Sequence, residues 1–470
     1  MKKERTFNLF KHPVIVFVLA LFMGCAIGPD FKKPQMQVPE KYRAAPDSLI
    51  ADTLVNLNWW QLFADPQLDT LVVTALRYNK NVRIALARID EAAALYGFTK
   101  ADILPQINVT GGASRGNFAT GVKMQDINNN FYAMPALSWE IDFWGKLRRA
   151  NEAAFAEITA SEYGLRAAQI GLIAQVVSNY FILLDYKQRL RVSKYTLLSR
   201  QKALEIMNKR FKYGTIPEID VNQAQIQMEI AAAAIPEYER NIRKIENTIN
   251  ILLGRAPMDI KTNDNLWLKE APPEIPAGLP AQLLRRRPDI LQAEYTLKAQ
   301  NARIGVAKGN MLPSISLTGA LGISSNDLKT ITSGGAAWSI GGALLGPLFN
   351  FGKYRSAVKV EEARTKQALY SYEYTVLVAL REVEDALIEI DTYKKELKAL
   401  NNRYLAAKNA ATLSSERYNK GVTSYLEVLE NERSLYSVEL ELSRIKQEYL
   451  NSYVRLYKAL GGGWLSGNER

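Results

Sequence analysis

The stretches "RFKYG" (210–214) and "RYNKG" (417–421) repeat one pattern 207 residues apart, and the rest of the chain follows them. Each closes a long polar run striped with apolar residues. Arg and Lys in a last helical turn suit the negative end of the helix dipole, and Gly214 and Gly421 can take the left-handed cap conformation. Sliding the sequence over itself by 207–208 residues extends the match. Leu104-Pro105 falls on Leu312-Pro313, "INVTGG" (107–112) on "ISLTGA" (315–320), and "DFWGKLR" (142–148) on "NFGKYR" (350–355). "LLG" (252–254) falls on "ALG" (459–461). The chain is a duplication.

Each half reads in the same order: a helix ending at Leu-Pro, two strand-like stretches, a very long helix after Gly-Lys, and a returning helix. One strand face is Phe131, Ala133, Pro135, Leu137, Trp139, Ile141 and Phe143, against Tyr132, Met134, Ala136, Ser138, Glu140 and Asp142. Ile315, Leu317, Gly319, Leu321 and Ile323 likewise oppose Ser314, Ser316, Thr318, Ala320 and Gly322. This alternation suits a membrane strand with one face to lipid, and equally a soluble antiparallel sheet. The polar stretches 115–130 and 324–335 read as hairpin tips.

Lys146–Tyr213 contains no proline, and Lys353–Lys420 neither proline nor glycine; each run is 68 residues. As helices they would each extend roughly 100 Å, a length suited to a coiled coil, a solenoid or a tunnel wall. Returning helices are expected at about 218–253 and 422–460, the first kinked at Pro236. Two halves give four strands, too few to close a membrane barrel, which starts at about eight. If the strands enter a bilayer, several copies must share one barrel, because the edges cannot stay unpaired.

The N-terminus, "MKKERTFNLFKHPVIVFVLALFMGC", reads as a signal peptide (1–24) ending in a lipobox-like Phe22-Met23-Gly24-Cys25. Cys25 is then the acylated first residue. Removing 1–24 lowers the formal net charge from +12 to +9 and deletes His12, the only histidine. A mature chain with one cysteine and no histidine cannot form an internal disulfide, a Ser-His-Asp triad, a Cys-His pair or a His/Cys zinc site. No phosphate-binding loop motif appears, so the expectation is no enzyme and no cofactor beyond covalent diacylglycerol and N-acyl chains on Cys25. No internal run of 18 apolar residues occurs, so any membrane crossing must use strands. "RRRP" (285–288) reads as a helix start with Pro288 in its first turn and Asp289 favoured by the dipole. Its arginines are expected on carboxylates or on carbonyls of the Pro- and Gly-rich stretches 26–60, 254–280 and 461–470, and no nucleic-acid partner is inferred.

"CAIGPDFKKP" (25–34), "WWQLFADPQLDTLV" (59–72), "LLRRRPDILQAE" (283–294), "LPSISLTG" (312–319) and "YKALGGGW" (457–464) resemble the TolC/OprM-like outer-membrane factors of tripartite efflux systems, in their lipoprotein branch. The resemblance implies a mainly α fold with a membrane β-barrel: a homotrimer whose 12-stranded barrel continues into a periplasmic barrel of long helices. It divides the chain into signal peptide 1–24, lipidated belt segment 25–60, first repeat 61–254, linker 255–279, second repeat 280–461 and tail 462–470. It implies partnership with a periplasmic adaptor, an inner-membrane pump of the resistance-nodulation-division type, and outer-membrane lipid.

In that family the two helix-to-helix turns lie at the periplasmic tip, which makes Arg210, Gly214, Arg417 and Gly421 candidate adaptor contacts. Acidic side chains just past the second turn line the closed constriction. Glu427 and Glu430 take that place here, with Asp220 and Gln223 at the first-repeat equivalents and Tyr425 as a further aromatic layer. The implied function is a passive, gated exit duct in the outer membrane of a Gram-negative bacterium. Two other classes remain open on the residues alone: a non-channel helical lipoprotein scaffold and, more remotely, a carboxylate hydrolase.

Overall fold

The computed structural model describes residues 26–44, 58–119, 122–262, 266–272, 280–333 and 336–462. The expected signal peptide and Cys25 lie outside the described residues.

A 3₁₀ turn (Trp59–Phe63) and helix α1 (Pro66–Tyr78) lead into α2 (Lys80–Ala101), β1 (Gln106–Ala119), β2 (Val122–Ile141), α3 (Lys146–Lys212) and α4 (Glu218–Leu252). Helix α5 (Pro280–Arg286) opens the second series. It continues through α6 (Pro288–Gly309), β3 (Ser314–Ser325), β4 (Ala336–Leu345), α7 (Lys353–Asn419) and α8 (Tyr425–Ala459). The paired helices have equal lengths: 22 residues for α2 and α6, 67 for α3 and α7, and 35 for α4 and α8. The duplication has therefore kept element lengths where the residues have diverged. Helix α4 runs on through Pro236 without a break.

The chain forms two compact units. The first takes in residues up to Gln35, 87–162 and 292–373, and holds the sheet. Its strands are antiparallel in the order β1-β2-β3-β4, so the hairpins of the two repeats join through β2 and β3. Pairing of Ile107 with Leu137, Trp139 with Leu317 and Leu321 with Trp338 aligns all four apolar faces. The expected loop 115–130 is mostly strand. Pairing continues through Arg115–Asn129 and, after an irregularity at Gly116–Phe118, to Ala119–Val122. Strand pairing is made by backbone groups, so polar side chains do not stop it. In the second hairpin the stretch expected as a tip does end the strands, with a 3₁₀ turn at Leu328–Thr330.

Four helices of this unit stand side by side in the order α2, α3, α6, α7. Thr99 donates to Asn151 at 3.0 Å between α2 and α3, Arg303 pairs with Glu157 at 2.9 Å between α6 and α3, and Thr365 donates to the Gln300 carbonyl at 3.3 Å between α7 and α6. They enclose a hollow of about 880 Å³.

The second unit comprises 36–86, 163–291 and 374 onward. Its core joins Trp59, Trp60 and Phe63 to Leu68 and Val72 of α1, Val176–Leu184 of α3, Ile249 of α4 and Leu450–Leu460 of α8. Trp59 stacks on Tyr457 with ring centroids 5.0 Å apart. One 18-residue window of α3 is apolar enough to cross a membrane, with mean hydropathy 1.6. It is instead 56% buried, a core helix by packing. Arg287, between α5 and α6, is buried and paired with Asp289, Glu382 and the Ala459 carbonyl (3.0 Å), the role expected for this basic run.

The belt segment expected at 25–60 divides: of its described residues, 26–35 belong to the first unit and 36–44 and 58–60 to the second. The reason is a residue far along the chain: Arg149, almost fully buried, donates to the carbonyls of Ile27 (3.2 Å) and Gly28 (3.5 Å) and pairs with Asp30 (2.6 Å) and Glu152 (2.7 Å). Ile27 N–H donates to Trp144, Asn301 donates to Pro29, and Lys33 pairs with Glu294 at 2.6 Å. Residues 26–33 form a strap across the start of α3 and one side of α6.

Candidate functional site

Two places in the fold bear on function: the outer faces of the sheet, and the turns at the ends of the long helices.

On one face of the sheet lie Ile107 and Val109 of β1, Pro135, Leu137, Trp139 and Ile141 of β2, Ile315, Leu317 and Leu321 of β3, and Trp338, Ile340 and Leu344 of β4. Every one is apolar. Val109 is 84% exposed and Ile340 83%, and Ile107, Trp338 and Leu344 are each more than 70% exposed. The opposite face carries Asn108, Thr110, Ser138, Ser316, Thr318, Gly341 and Ser339. Each CH₂ left in water costs about 0.8 kcal/mol, so a face this continuous needs an apolar medium. One apolar and one polar face is the pattern of a membrane strand whose other side meets water.

At the far ends of α3 and α7 the cap chemistry is as the sequence suggests. Gly214 and Gly421 have φ of 69° and 73°. Gly214 N–H donates to Phe211 (2.8 Å) and Thr215 N–H to Arg210 (3.0 Å), and Gly421 and Val422 make the same bonds to Tyr418 and Arg417, both 2.9 Å. This doubled bond closes two otherwise unpaired helix carbonyls.

The two turns are neighbours. Met207 of α3, Ala224 of α4 and Tyr425, Val428 and Leu429 of α8 form one small buried cluster. Tyr418 Oη donates to Met207 Sδ at 3.6 Å, and the Arg210 guanidinium lies 5.0 Å from the Tyr418 ring centre. The structure thus brings Arg210 and Arg417 to one end of the second unit.

The candidate acids divide. Glu427, in the first turn of α8, accepts from Thr423 Oγ1 and pairs with Arg417 at 3.3 Å. A candidate constriction acid and a candidate adaptor contact are therefore one ion pair across a single turn. Glu430 is exposed and pairs with Arg433 at 3.3 Å on its own helix. Asp220, at the matching position of α4, has no such ion pair among the described residues. Tyr425, expected as an aromatic layer of the constriction, is only 5% exposed and packs inside the cluster with its ring centre 5.3 Å from that of Tyr418. Its period places it on the apolar stripe of α8 with Val428 and Leu429, and that stripe was the signal for burial. Burial, and then Glu432, Tyr418 and Asp220, push its phenol well above the usual range.

Sequence reasoning missed the buried charges above this cluster. Arg200 donates to the Gln227 carbonyl at 2.5 Å and lies 5.0 Å from the Tyr436 ring centre. Burial pushes the Glu432 carboxyl up, only partly offset by Arg200, and pushes Glu439 up against the pull of Lys408. A helical wheel would place these acids beside Tyr436 on a packed face. The charge that neighbours them comes from other helices and is invisible to such a wheel.

A sheet with one apolar, exposed face and one polar face, in a chain with two helices of 67 residues, has the pattern of an outer-membrane protein. The model of the outer membrane efflux protein family matches the chain twice, at 71–255 and 279–462, and the chain belongs to that family. The solvent efflux pump outer membrane protein SrpC of Pseudomonas putida is 34% identical over 461 residues, covering 96% of this chain and 97% of that protein. The probable outer membrane lipoprotein SilC of Salmonella typhimurium is 31% identical over 456 residues, covering 96% and 97%. The solved outer-membrane channel OprN is 30% identical and superposes with a TM-score of 0.86, covering 94% of this chain and all of that one. This protein is therefore an outer-membrane efflux channel component, of a family of channels and not of enzymes.

Proposed function

We propose that this chain is the exit duct of a tripartite efflux pump. Three copies share one 12-stranded barrel and give small molecules a passive, gated path across the periplasm and outer membrane. The observation that carries the reading is the sheet itself: four strands, an exposed apolar face, a polar face behind it, and two outer edges left unpaired within the chain. Four strands cannot enclose a path, and three sets of four can.

In this reading Cys25 carries the acyl chains. The strap at 26–33 then holds Ile27, two residues on, at the strand-to-helix turn through its N–H bond to the Trp144 carbonyl. The turns at Arg210–Gly214 and Arg417–Gly421 receive a periplasmic adaptor that joins an inner-membrane pump of the resistance-nodulation-division type. The pump selects the cargo. Glu427, Glu430 and Asp220 ring the closed end, where their charge attracts cations. The Arg417–Glu427 pair latches the turn, and adaptor contact at Arg417 releases it.

Single-channel conductance in a planar bilayer tests this, with the wild type beside Glu427→Ala/Glu430→Ala. A small cation-preferring conductance that grows in the variant is expected. A conductance unchanged by the variant places the gate elsewhere. Silence from inserted protein of both kinds overturns the duct and leaves the scaffold.

A further inference from the structure

Resting on the duct reading, we infer that α8 carries a proton-operated switch. With Glu432 and Glu439 protonated, α8 packs against α3 and α7 and holds the duct shut. With both ionised it lifts away and takes the gate acids at its start, Glu427 and Glu430, with it.

Glu432 and Glu439 stand two turns apart along one face of α8. Both line a hollow of about 430 Å³ between α3, α7 and α8. From α3 the hollow receives Tyr195 and Arg200, from α7 Tyr404 and Lys408, and from α8 itself Tyr436. Among the described residues, no hydrogen bond or ion pair reaches either carboxylate. The cations nearby are held elsewhere. Arg200 donates to the Gln227 carbonyl of α4 and lies over the Tyr436 ring. Lys408 lies 5.9 Å from the Tyr404 ring centre, and Arg433 pairs with Glu430. Tyr436 is committed too, its hydroxyl 2.8 Å from that of Ser193.

The three helices thus strip water from two carboxyl groups without giving either a partner, which favours the neutral form. Burial pushes both carboxyls up, and Arg200 and Lys408 offset this only in part. Once α8 lifts, each returns toward its ordinary 4.5. The packed state therefore binds more protons than the lifted one. Acid holds α8 down, and pH rising through the raised values releases it.

The rest of α8 is pinned by apolar contacts. Tyr425, Val428 and Leu429 meet Met207 and Ala224 at its start, and Val438, Leu442 and Ile445 meet Leu400 farther on. Glu432 lies between these clusters and Glu439 at the edge of the second, so their charge works against the contacts that hold the helix down. The matching positions of α4 are Gln225 and Ala232. A returning helix of this fold does not need acids there, and the switch belongs to the second repeat alone.

The test is the open-to-shut ratio of single channels in a planar bilayer from about pH 5 to 8, for the wild type and Glu432→Gln/Glu439→Gln. That variant leaves Glu427 and Glu430 in place. Hydrogen exchange at the α8 amides, corrected for the intrinsic effect of pH, is followed on the same full-length protein. Release of two protons should raise the wild-type ratio by up to about a hundredfold per pH unit, and each single Gln variant by at most about tenfold. The double variant should stay at the wild type's acid value throughout, in both readouts. A double variant that follows the wild-type profile, or wild-type α8 exchange that does not change with pH, overturns the switch and leaves the duct standing. Inserted protein silent at every pH, with α8 exchange still rising with pH in the wild type alone, overturns the duct reading and leaves α8 proton-linked.

Discussion

Asp65 is a buried carboxylate that joins α1 to Tyr180 and Lys269, and replacing it by alanine should open the second unit locally. Its side chain is 1% exposed and accepts from the Gln67 and Leu68 N–H groups (3.0 and 3.4 Å), from Tyr180 Oη (2.5 Å) and from Lys269 Nζ (2.6 Å). Losing a helix cap costs about 1 kcal/mol. Leaving Lys269 buried without its carboxylate costs about 3–5 kcal/mol and dominates. Asp65→Asn keeps the cap acceptor and loses the charge, for about 1.5–3 kcal/mol. Hydrogen exchange at the α1 amides reads the opening, and Asp65→Ala should speed it by roughly three to four orders of magnitude. Adding Lys269→Met should restore more than half of the loss. Burial alone would raise the Asp65 carboxyl, but Lys269, Tyr180 and Gln67 N–H together hold it below its ordinary 3.8. The stabilisation is therefore full above pH 3.8 and lost only as pH falls through the depressed folded value. Asp65→Ala exchanging within a factor of about two of wild type, or no recovery with Lys269→Met, would refute the reasoning.

Other perturbations have equally definite outcomes. Arg149→Met removes the donors that hold the strap and should expose residues 26–33 to protease at least about tenfold faster, from roughly 2 kcal/mol of lost charged hydrogen bonds; unchanged cleavage would mean the strap is held elsewhere. Gly421→Ala meets open space and should cost only the left-handed backbone strain, about 1–2 kcal/mol. Gly254→Ala should cost clearly more, because its Cβ would lie 2.3 Å from the Tyr78 carbonyl oxygen; equal thermal shifts would contradict this ordering. Glu432 is an acid with a raised folded pKa, so its charge opposes folding at pH above that value, and the opposition fades as pH falls toward its ordinary 4.5. Glu432→Gln should accordingly stabilise the protein near neutral pH and flatten its stability profile above 4.5, as thermal melts across that range would show.

The proposed gate differs in kind from a ring of bare acids. Glu427 is already neutralised by Arg417 inside one protomer, so the charge offered to a channel depends on whether that turn is latched. In the proposed gate, Arg417 would couple adaptor contact to the constriction through one residue. A positive partner surface at the turn would compete with Arg417 for Glu427, and a negative one would draw Arg417 away.

The linear sequence carried whatever depends on near neighbours in the chain. The proline-free runs set α3 and α7 to within one residue, and Gly214 and Gly421 marked their ends, because helix propagation and capping are local. Alternation at 131–141 and 315–323 identified the strands and their apolar side for the same reason. Three features waited on the fold, one on pairing within a hairpin and two on partners far away in sequence. Strand length beyond Arg115 came from backbone pairing with Asn129 and onward. The division of the strap from the belt came from Arg149, some 120 residues away from Ile27. The burial of Tyr425 came from its cluster with Met207 of another helix. Local patterns state what an element is and which side of it is apolar; which distant element meets that side is settled only when the chain closes on itself.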